Sequence, residues 1–338
     1  MEVRLAVIGS GFGLYGLLPA FQQIPGCVIT GICGKSSQRM VDYCRKTSVS
    51  VISQDWRELI ENSKPDAIAI AVIPKYQYEI AMYALQRGIS VFAEKPFAVN
   101  LEQAEDLLLC ARKSGRPNMV DFIFSEIPEW INLKKLLDEN TIGTVNQVTV
   151  NWSFLSYDIK NRLNTWKLDP KEGGGALSFY FCHIFYCLEF FLGRIKTLRC
   201  DFNHSPNSLG MGEAVVSMVV RWESGCTGNI VLNCGSVGRC KHVWEFQGER
   251  GDLVLQNMTR SAAIGFEIIH YNSNGEPVGI PCPRIEPVSD EDERVRLVRT
   301  LGTRFIAWHN GGPPSKPDFE DGVRVQQLIK CAMESAGK

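Results

Sequence analysis

Glu94-Lys95-Pro96 closes the apolar run Ile89-Ser90-Val91-Phe92-Ala93. A lysine at the end of a buried strand gives up hydration of its ammonium, so a fold rarely places one there without a ligand or carboxylate to meet it. The proline removes a backbone donor and biases the residue before it toward extended geometry. A solvated lysine leading into a loop would account for the tripeptide in isolation. A second feature tips the balance. The chain opens with the strand-like Val3-Arg4-Leu5-Ala6-Val7-Ile8, then Gly9-Ser10-Gly11-Phe12-Gly13-Leu14-Tyr15-Gly16, then a helix-like stretch from Leu17. Glycines between a strand and a helix let backbone N–H groups approach a pyrophosphate at the helix N-terminus. The spacing G-x-G-x-x-G fits only Gly11, Gly13 and Gly16. A turn that must leave the strand at once favours Gly9 and Gly11, with Leu14 at the third position. Phe12 and Gly13 complete the candidate loop.

The second strand, Val28 to Cys33, is followed by Gly34-Lys35-Ser36-Ser37, and the next acid is Asp42. A dinucleotide site that reads a ribose 2′-hydroxyl usually carries an acid near this point. A small residue, a cation and two hydroxyls suit a 2′-phosphate better, which predicts NADP(H) over NAD(H). An ordinary polar turn would look the same. The stretch also resembles the end of a P-loop, but position 29 is isoleucine where that motif needs glycine.

These residues need elements to position them. At 338 residues the chain exceeds what one core usually supports, so two domains are expected, at 1–121 and 122–338. Over the first domain, strands at 3–9, 27–33, 66–73, 89–93 and 117–122 alternate with helices, including 78–87 and one at 101–113 capped by Asn100. This is the pattern of a doubly wound parallel sheet. Beyond Pro128 come a helix at 129–138, an alternating strand at 146–154 and a helix at 175–192. Strand-like runs then recur at 197–204, 213–222, 226–235, 241–247, 252–256 and 263–271, before a last helix at 321–335. Such a series predicts an α+β domain with a large, mostly antiparallel, open-faced sheet.

Composition narrows the class. The 36 basic and 37 acidic residues are interspersed, which gives no footprint for nucleic acid or an anionic membrane surface. The apolar stretch Ile184–Leu192 contains Glu189 and is short for a bilayer. A strand begins at residue 3, which leaves no signal peptide, and twelve scattered cysteines without a C-x-x-C pair suit a reducing cytoplasm. His204, His242, His270 and His309 are too dispersed for a metal site.

With these motifs in view the chain resembles the glucose–fructose oxidoreductase / inositol dehydrogenase family, often called Gfo/Idh/MocA. The resemblance runs over essentially the whole length. Its carriers are the Gly9–Gly13 loop, Ile73-Pro74, Glu94-Lys95-Pro96, Ile142-Gly143, Trp166-Lys167, Gly173-Gly174-Gly175-Ala176-Leu177 and Phe319-Glu320-Asp321-Gly322. It implies a Rossmann domain with an open-faced α/β domain whose sheet builds homodimers or homotetramers. The implied substrates are sugar-like or cyclic polyols oxidised or reduced at a carbinol carbon. Lys95 matches the family lysine that hydrogen-bonds the reacting oxygen. Pro74, Gln77 (where many relatives have histidine), Glu94, Trp166 and Lys167 match positions at the cofactor or substrate.

The family also implies an Asp and a His one turn apart on the helix after the glycine triplet. Here the histidine is His183, Phe179 stands at the aspartate position and Tyr186 follows three residues on. Tyr180 and Tyr186 are alternative proton donors. Phe179, His183, Tyr186 and Phe190 also form an i, i+4, i+7, i+11 stripe that a helix could simply bury. The expected activity is NADP(H)-dependent hydride transfer at a CH–OH/C=O centre, with Lys95 as electrophile and His183 as acid/base. Two other outcomes stay open: a hydrolase or lyase that uses the cofactor only transiently, and a non-catalytic dinucleotide sensor.

Overall fold

A computed structural model describes residues 2–47, 49, 51–283, 288 and 290–336. Two compact units emerge. One runs to Ile123 and resumes over Val288–Gln326; the other begins at Phe124 and takes in the chain from Gln327 onward. The stretch 288–326, which sequence pattern alone assigns to the second domain, therefore packs within the first unit.

The first unit holds a six-stranded parallel sheet in the order β3-β2-β1-β4-β5-β6. Its strands are β1 (Val3–Ile8), β2 (Cys27–Cys33), β3 (Ile52–Ser53), β4 (Ala67–Ile70), β5 (Ser90–Ala93) and β6 (Asn118–Val120). Helices cover both faces, so the strands read as continuous apolar runs, and Ala67–Ile70 and Ser90–Ala93 are buried throughout. A π-helical turn at Gly13–Leu17 runs into α1 (Leu18–Gln22). The remaining helices are α2 (Gln38–Lys46), α3 (Trp56–Ser63), α4 (Pro74–Gln86) and α5 (Leu101–Ser114). Their starts follow local chemistry. Ser37, Asp55 and Asn100 each accept a backbone N–H at an N-cap, and Pro74 occupies the first turn of α4, where no donor is needed. The predicted strand at 66–73 consequently ends at Ile70, because Pro74 opens a helix.

In the second unit α6 (Pro128–Asp138) precedes β7 (Val145–Ser153), α7 (Tyr157–Lys160) and α8 (Cys182–Leu192). An eight-stranded sheet follows, in the order β14-β13-β12-β11-β7-β10-β9-β8. It is built from β7 together with β8 (Ile195–Asn203), β9 (Val215–Trp222), β10 (Thr227–Asn233), β11 (Lys241–Gly248), β12 (Gly251–Asn257), β13 (Glu267–Tyr271) and β14 (Pro277–Ile280). All pairings are antiparallel except β7 with β10. Alternating burial along β9, β10 and β11 marks one covered face and one open face, as the sequence pattern predicts. The helical run Pro170–Leu192 is long and apolar enough by length and composition to cross a membrane, and about two-thirds of its most apolar 18-residue window is buried inside the protein.

Two late helices complete the chain. α9 (Val295–His309) lays Leu301, Phe305 and Ile306 into the core of the first unit, where Phe305 meets Phe21 and Phe92 edge to face. α10 (Phe319–Ser335) starts with Phe319 against Phe97 at 4.5 Å between ring centres. The twelve cysteines are free.

Candidate active site

The glycine loop is shaped by contacts that tolerate no side chain at one position and leave open space at another. Gly9 leaves β1 with φ +130°, and a Cβ there would lie 2.1 Å from the carbonyl oxygen of Ala71. Only glycine fits such a position. A Cβ on Gly11 would meet nothing within 4 Å, so the backbone beyond the turn is open to a ligand. Gly13 brings the helix start against the Val7 side chain, 3.3 Å from where its Cβ would be. Gly16 instead packs beneath the Phe12 ring. The division of tasks follows Gly9, Gly11 and Gly13, directly after the strand.

At the end of β2, Gly34 is pressed on Ser10, and a Cβ would come 2.6 Å from that side chain. Lys35 and Ser36 are exposed, and Ser37 caps α2 by accepting the Met40 N–H at 3.2 Å. Two arginines join this edge that the sequence reading did not single out. Arg39, in the first turn of α2, lies 5.7 Å from the centre of the Tyr15 ring. Arg294, just before α9, stands 4.3 Å over the Phe12 ring and is clamped by Asp292 through two 2.8 Å bonds. Arg39 falls two residues after the Lys35-Ser36-Ser37 run, a signal within reach; Arg294 is brought by the returning chain, which no local spacing reveals.

The third corner is the turn after β5. Gln77, 1 % exposed on α4, donates its amide nitrogen to the carbonyls of Glu94 (2.6 Å), Pro96 (3.1 Å) and Phe97 (3.1 Å). One buried amide thus fixes the backbone of Glu94-Lys95-Pro96, whose Lys95–Pro96 bond is cis. The Glu94 carboxylate accepts the Lys95 backbone N–H at 2.8 Å. Directly beyond β6, Asp121 donates its N–H to Ala93 O at 2.9 Å. Its carboxyl is held well above the ordinary carboxylate range, first by burial and then by the neighbouring charge of Glu94. The first unit therefore gathers Gly9, Gly11, Phe12, Gly13, Gly34, Lys35, Pro74, Gln77, Glu94 and Lys95 on segments that follow β1, β2, β4 and β5. These are carboxyl ends of parallel strands, where doubly wound sheets bind ligands.

The remaining candidates lie in the second unit. Gly174 lies against the Trp166 carbonyl, 2.2 Å from where its Cβ would be, and Gly175 takes φ +90° beside the Glu213 carboxylate. Glu213, unremarked in the sequence, accepts the Leu177 N–H at 2.6 Å and anchors the start of the helical run. A π-helical turn at Leu177–Phe181 then leads into α8. Phe179 meets Trp166 edge to face and carries Lys167 Nζ 5.3 Å from its ring centre. Lys167 also pairs with the buried Asp158 at 3.8 Å. Tyr180 packs on Trp152 and Phe154, with its hydroxyl pushed up by burial and bonded to Ser156. His183 is 5 % exposed and stacks on Phe124 at 4.4 Å. Tyr186 is half-buried against Phe190. The predicted single stripe thus divides: Phe179 faces Trp166 and Lys167, whereas His183 faces Phe124.

A Rossmann-type unit with an open glycine turn, joined in one chain to an α+β unit with an open-faced sheet, defines a class of dinucleotide-dependent oxidoreductases. Family models agree: "Oxidoreductase family, NAD-binding Rossmann fold" matches residues 3–122, and "Oxidoreductase family, C-terminal alpha/beta domain" matches 134–338. The chain belongs to the Gfo/Idh/MocA oxidoreductase family. It is 28 % identical to an uncharacterized oxidoreductase of Synechocystis sp., over 99 % of this chain and 94 % of that one. It is 24 % identical to a scyllo-inositol 2-dehydrogenase (NADP(+)) of Bacillus subtilis, over 88 % of each. Among solved structures, levoglucosan dehydrogenase in complex with NADH superposes with a TM-score of 0.86 at 18 % identity, over 99 % of this chain and 97 % of that one. An Agrobacterium radiobacter oxidoreductase in complex with NAD+, L-tartaric acid and magnesium gives 0.85 at 18 %, over 99 % and 96 %.

Proposed function

We propose that this protein transfers hydride between NADP(H) and a carbinol or carbonyl carbon of a sugar-like or cyclic polyol. The observation that carries the reading is the joint placement of the open Gly11 turn and the clamped Glu94-Lys95-Pro96 turn on carboxyl ends of one parallel sheet. The names of the relatives, an inositol and a levoglucosan dehydrogenase among them, support the substrate class. The first unit, 1–123 closed by 288–326, is assigned to dinucleotide binding, and the second unit to substrate binding and assembly as a homodimer or homotetramer.

The glycine turn fits a dinucleotide: Gly9 and Gly11 would admit the pyrophosphate, and Lys35, Ser36 and Arg39 supply a cationic, hydroxyl-bearing edge for a 2′-phosphate. The bound nicotinamide supplies the hydride donor or acceptor. Lys95 offers an ammonium to the substrate oxygen and stabilises the negative charge that grows there during carbonyl reduction. Glu94 and Gln77 hold that turn in place. His183 is the candidate for proton exchange, with Tyr180 and Tyr186 behind it. Trp166 and Lys167 border Phe179 and are assigned to substrate or cofactor contact.

Titration of the protein with NADPH and NADH side by side tests the reading. Tight NADPH binding that Lys35→Ala weakens far more than NADH binding is the expected outcome. Equal weakening would reduce the 34–37 segment to a turn, and binding of neither dinucleotide would overturn the assignment.

A further inference from the structure

Asp121 is used by none of the roles above. The pairing of β5 with β6 carries it alongside Glu94, its N–H bonded to Ala93 O at 2.9 Å. It is 1 % exposed, and among the described residues neither carboxyl oxygen finds a hydrogen-bond donor. A buried carboxylate in that position would be left without compensation. The polar group that reaches it is itself a carboxyl, that of Glu94. Two carboxylates can bond to each other only through a proton. The Glu94 side chain is held in place by its Oε2, which accepts the Lys95 backbone N–H at 2.8 Å. Among the described residues, the charged groups that act on Asp121 are Glu94 and Lys95 beyond β5 and Arg294 before α9. Both cations favour ionisation of Asp121, while burial and Glu94 oppose it, and the latter two prevail.

We propose that Asp121 shares one proton with Glu94 at neutral pH, as a positioning acid that fixes the Glu94-Lys95 turn and leaves one negative charge, not two, beside the Lys95 ammonium. The shared proton is argued from the first unit alone; its consequence for turnover rests on the role assigned to Lys95. A second anion at this place would draw the ammonium away from a substrate oxygen and raise the cost of transferring charge to it.

Carbon-13 NMR of the full chain labelled at aspartate carboxyls, without any substrate, tests this. The signal lost in Asp121→Asn (or in Asp121→Ser, should the asparagine variant not fold) identifies the residue. The expected result is a carboxylic-acid shift that persists through pH 7, with ionisation moving to lower pH in Glu94→Gln. A carboxylate shift for Asp121 at pH 7 would overturn the proposal, as would a titration unmoved by Glu94→Gln. Neither result depends on dinucleotide binding or on turnover, so failure here is separable from failure of the proposed function.

Discussion

Lys95 and His242 show how differently single residues reveal themselves. Lys95 is legible because an apolar strand ending in Glu-Lys-Pro has little structural excuse, and its backbone is held by three bonds from one buried amide. In the proposed mechanism, removing its ammonium deletes a preorganised charge at the reacting oxygen. Lys95→Ala should therefore lower turnover by roughly 10²- to 10³-fold while the dissociation constant for NADPH stays nearly unchanged. Steady-state kinetics beside a binding titration checks this, and an equally active variant would remove Lys95 from the mechanism. The hydrogen bonds of Gln77 were not legible, since the three carbonyls it binds come from a turn about twenty residues away. His242 is a different case. Trp244 Nε1 donates to its Nε2 at 2.9 Å inside an aromatic cage, and burial pulls its pKa down to about 3. An unfolded histidine titrates near ~6.5, so between these values the unfolded chain binds a proton that the folded one refuses. Stability is thus complete above pH ~6.5 and lost as the pH falls toward about 3. Urea unfolding across that range should show a shallower acid loss in His242→Gln than in the parent; equal slopes would clear His242 of the effect.

Elements were readable to the extent that their signals were local. The strands at 3–8, 27–33 and 90–93 and the capped helix at 101–114 announce themselves by apolar runs and by Asn100. α9 does not, although Val295, Val298, Leu301, Phe305 and Ile306 carry a helical period, because a charged stretch precedes it and no capping side chain marks its start. β3 and β14, two and four residues long, give periodicity too little to work on. The glycine loop is an element whose backbone decides its chemistry. Gly9→Ala must place a Cβ where Ala71 O stands, at a φ that alanine rarely adopts. The expected cost is about 3 kcal/mol or more, with dinucleotide binding lost. Chemical unfolding and calorimetry together check it, and a variant of parental stability and affinity would show that the turn can relax.

For the whole molecule, what the sequence could not show is that the first unit closes with residues 288–326. The apolar rings of Phe21 and Phe92 are covered by Phe305, which arrives late in the chain. A fragment of residues 1–123 should consequently bind a hydrophobic dye and lack near-ultraviolet circular dichroism, with both defects repaired when 288–326 is fused to it. Cooperative unfolding of the fragment alone would contradict this.

β7 lies at the centre of the eight-stranded sheet, yet it is the first of those strands to be made. Its neighbours β10 and β11 end at Asn233 and Gly248. On the ribosome, at about 5–20 residues per second, the nascent strand must wait roughly 4–16 s with both hydrogen-bonding edges unoccupied, and roughly 5–19 s before β11 is complete. Val148, Val150 and Trp152, all buried in the finished sheet, stay in water for that interval. The middle of the sheet is therefore the segment that a holding chaperone would meet first, and the speed of translation between residues 154 and 248 sets how long it must be held.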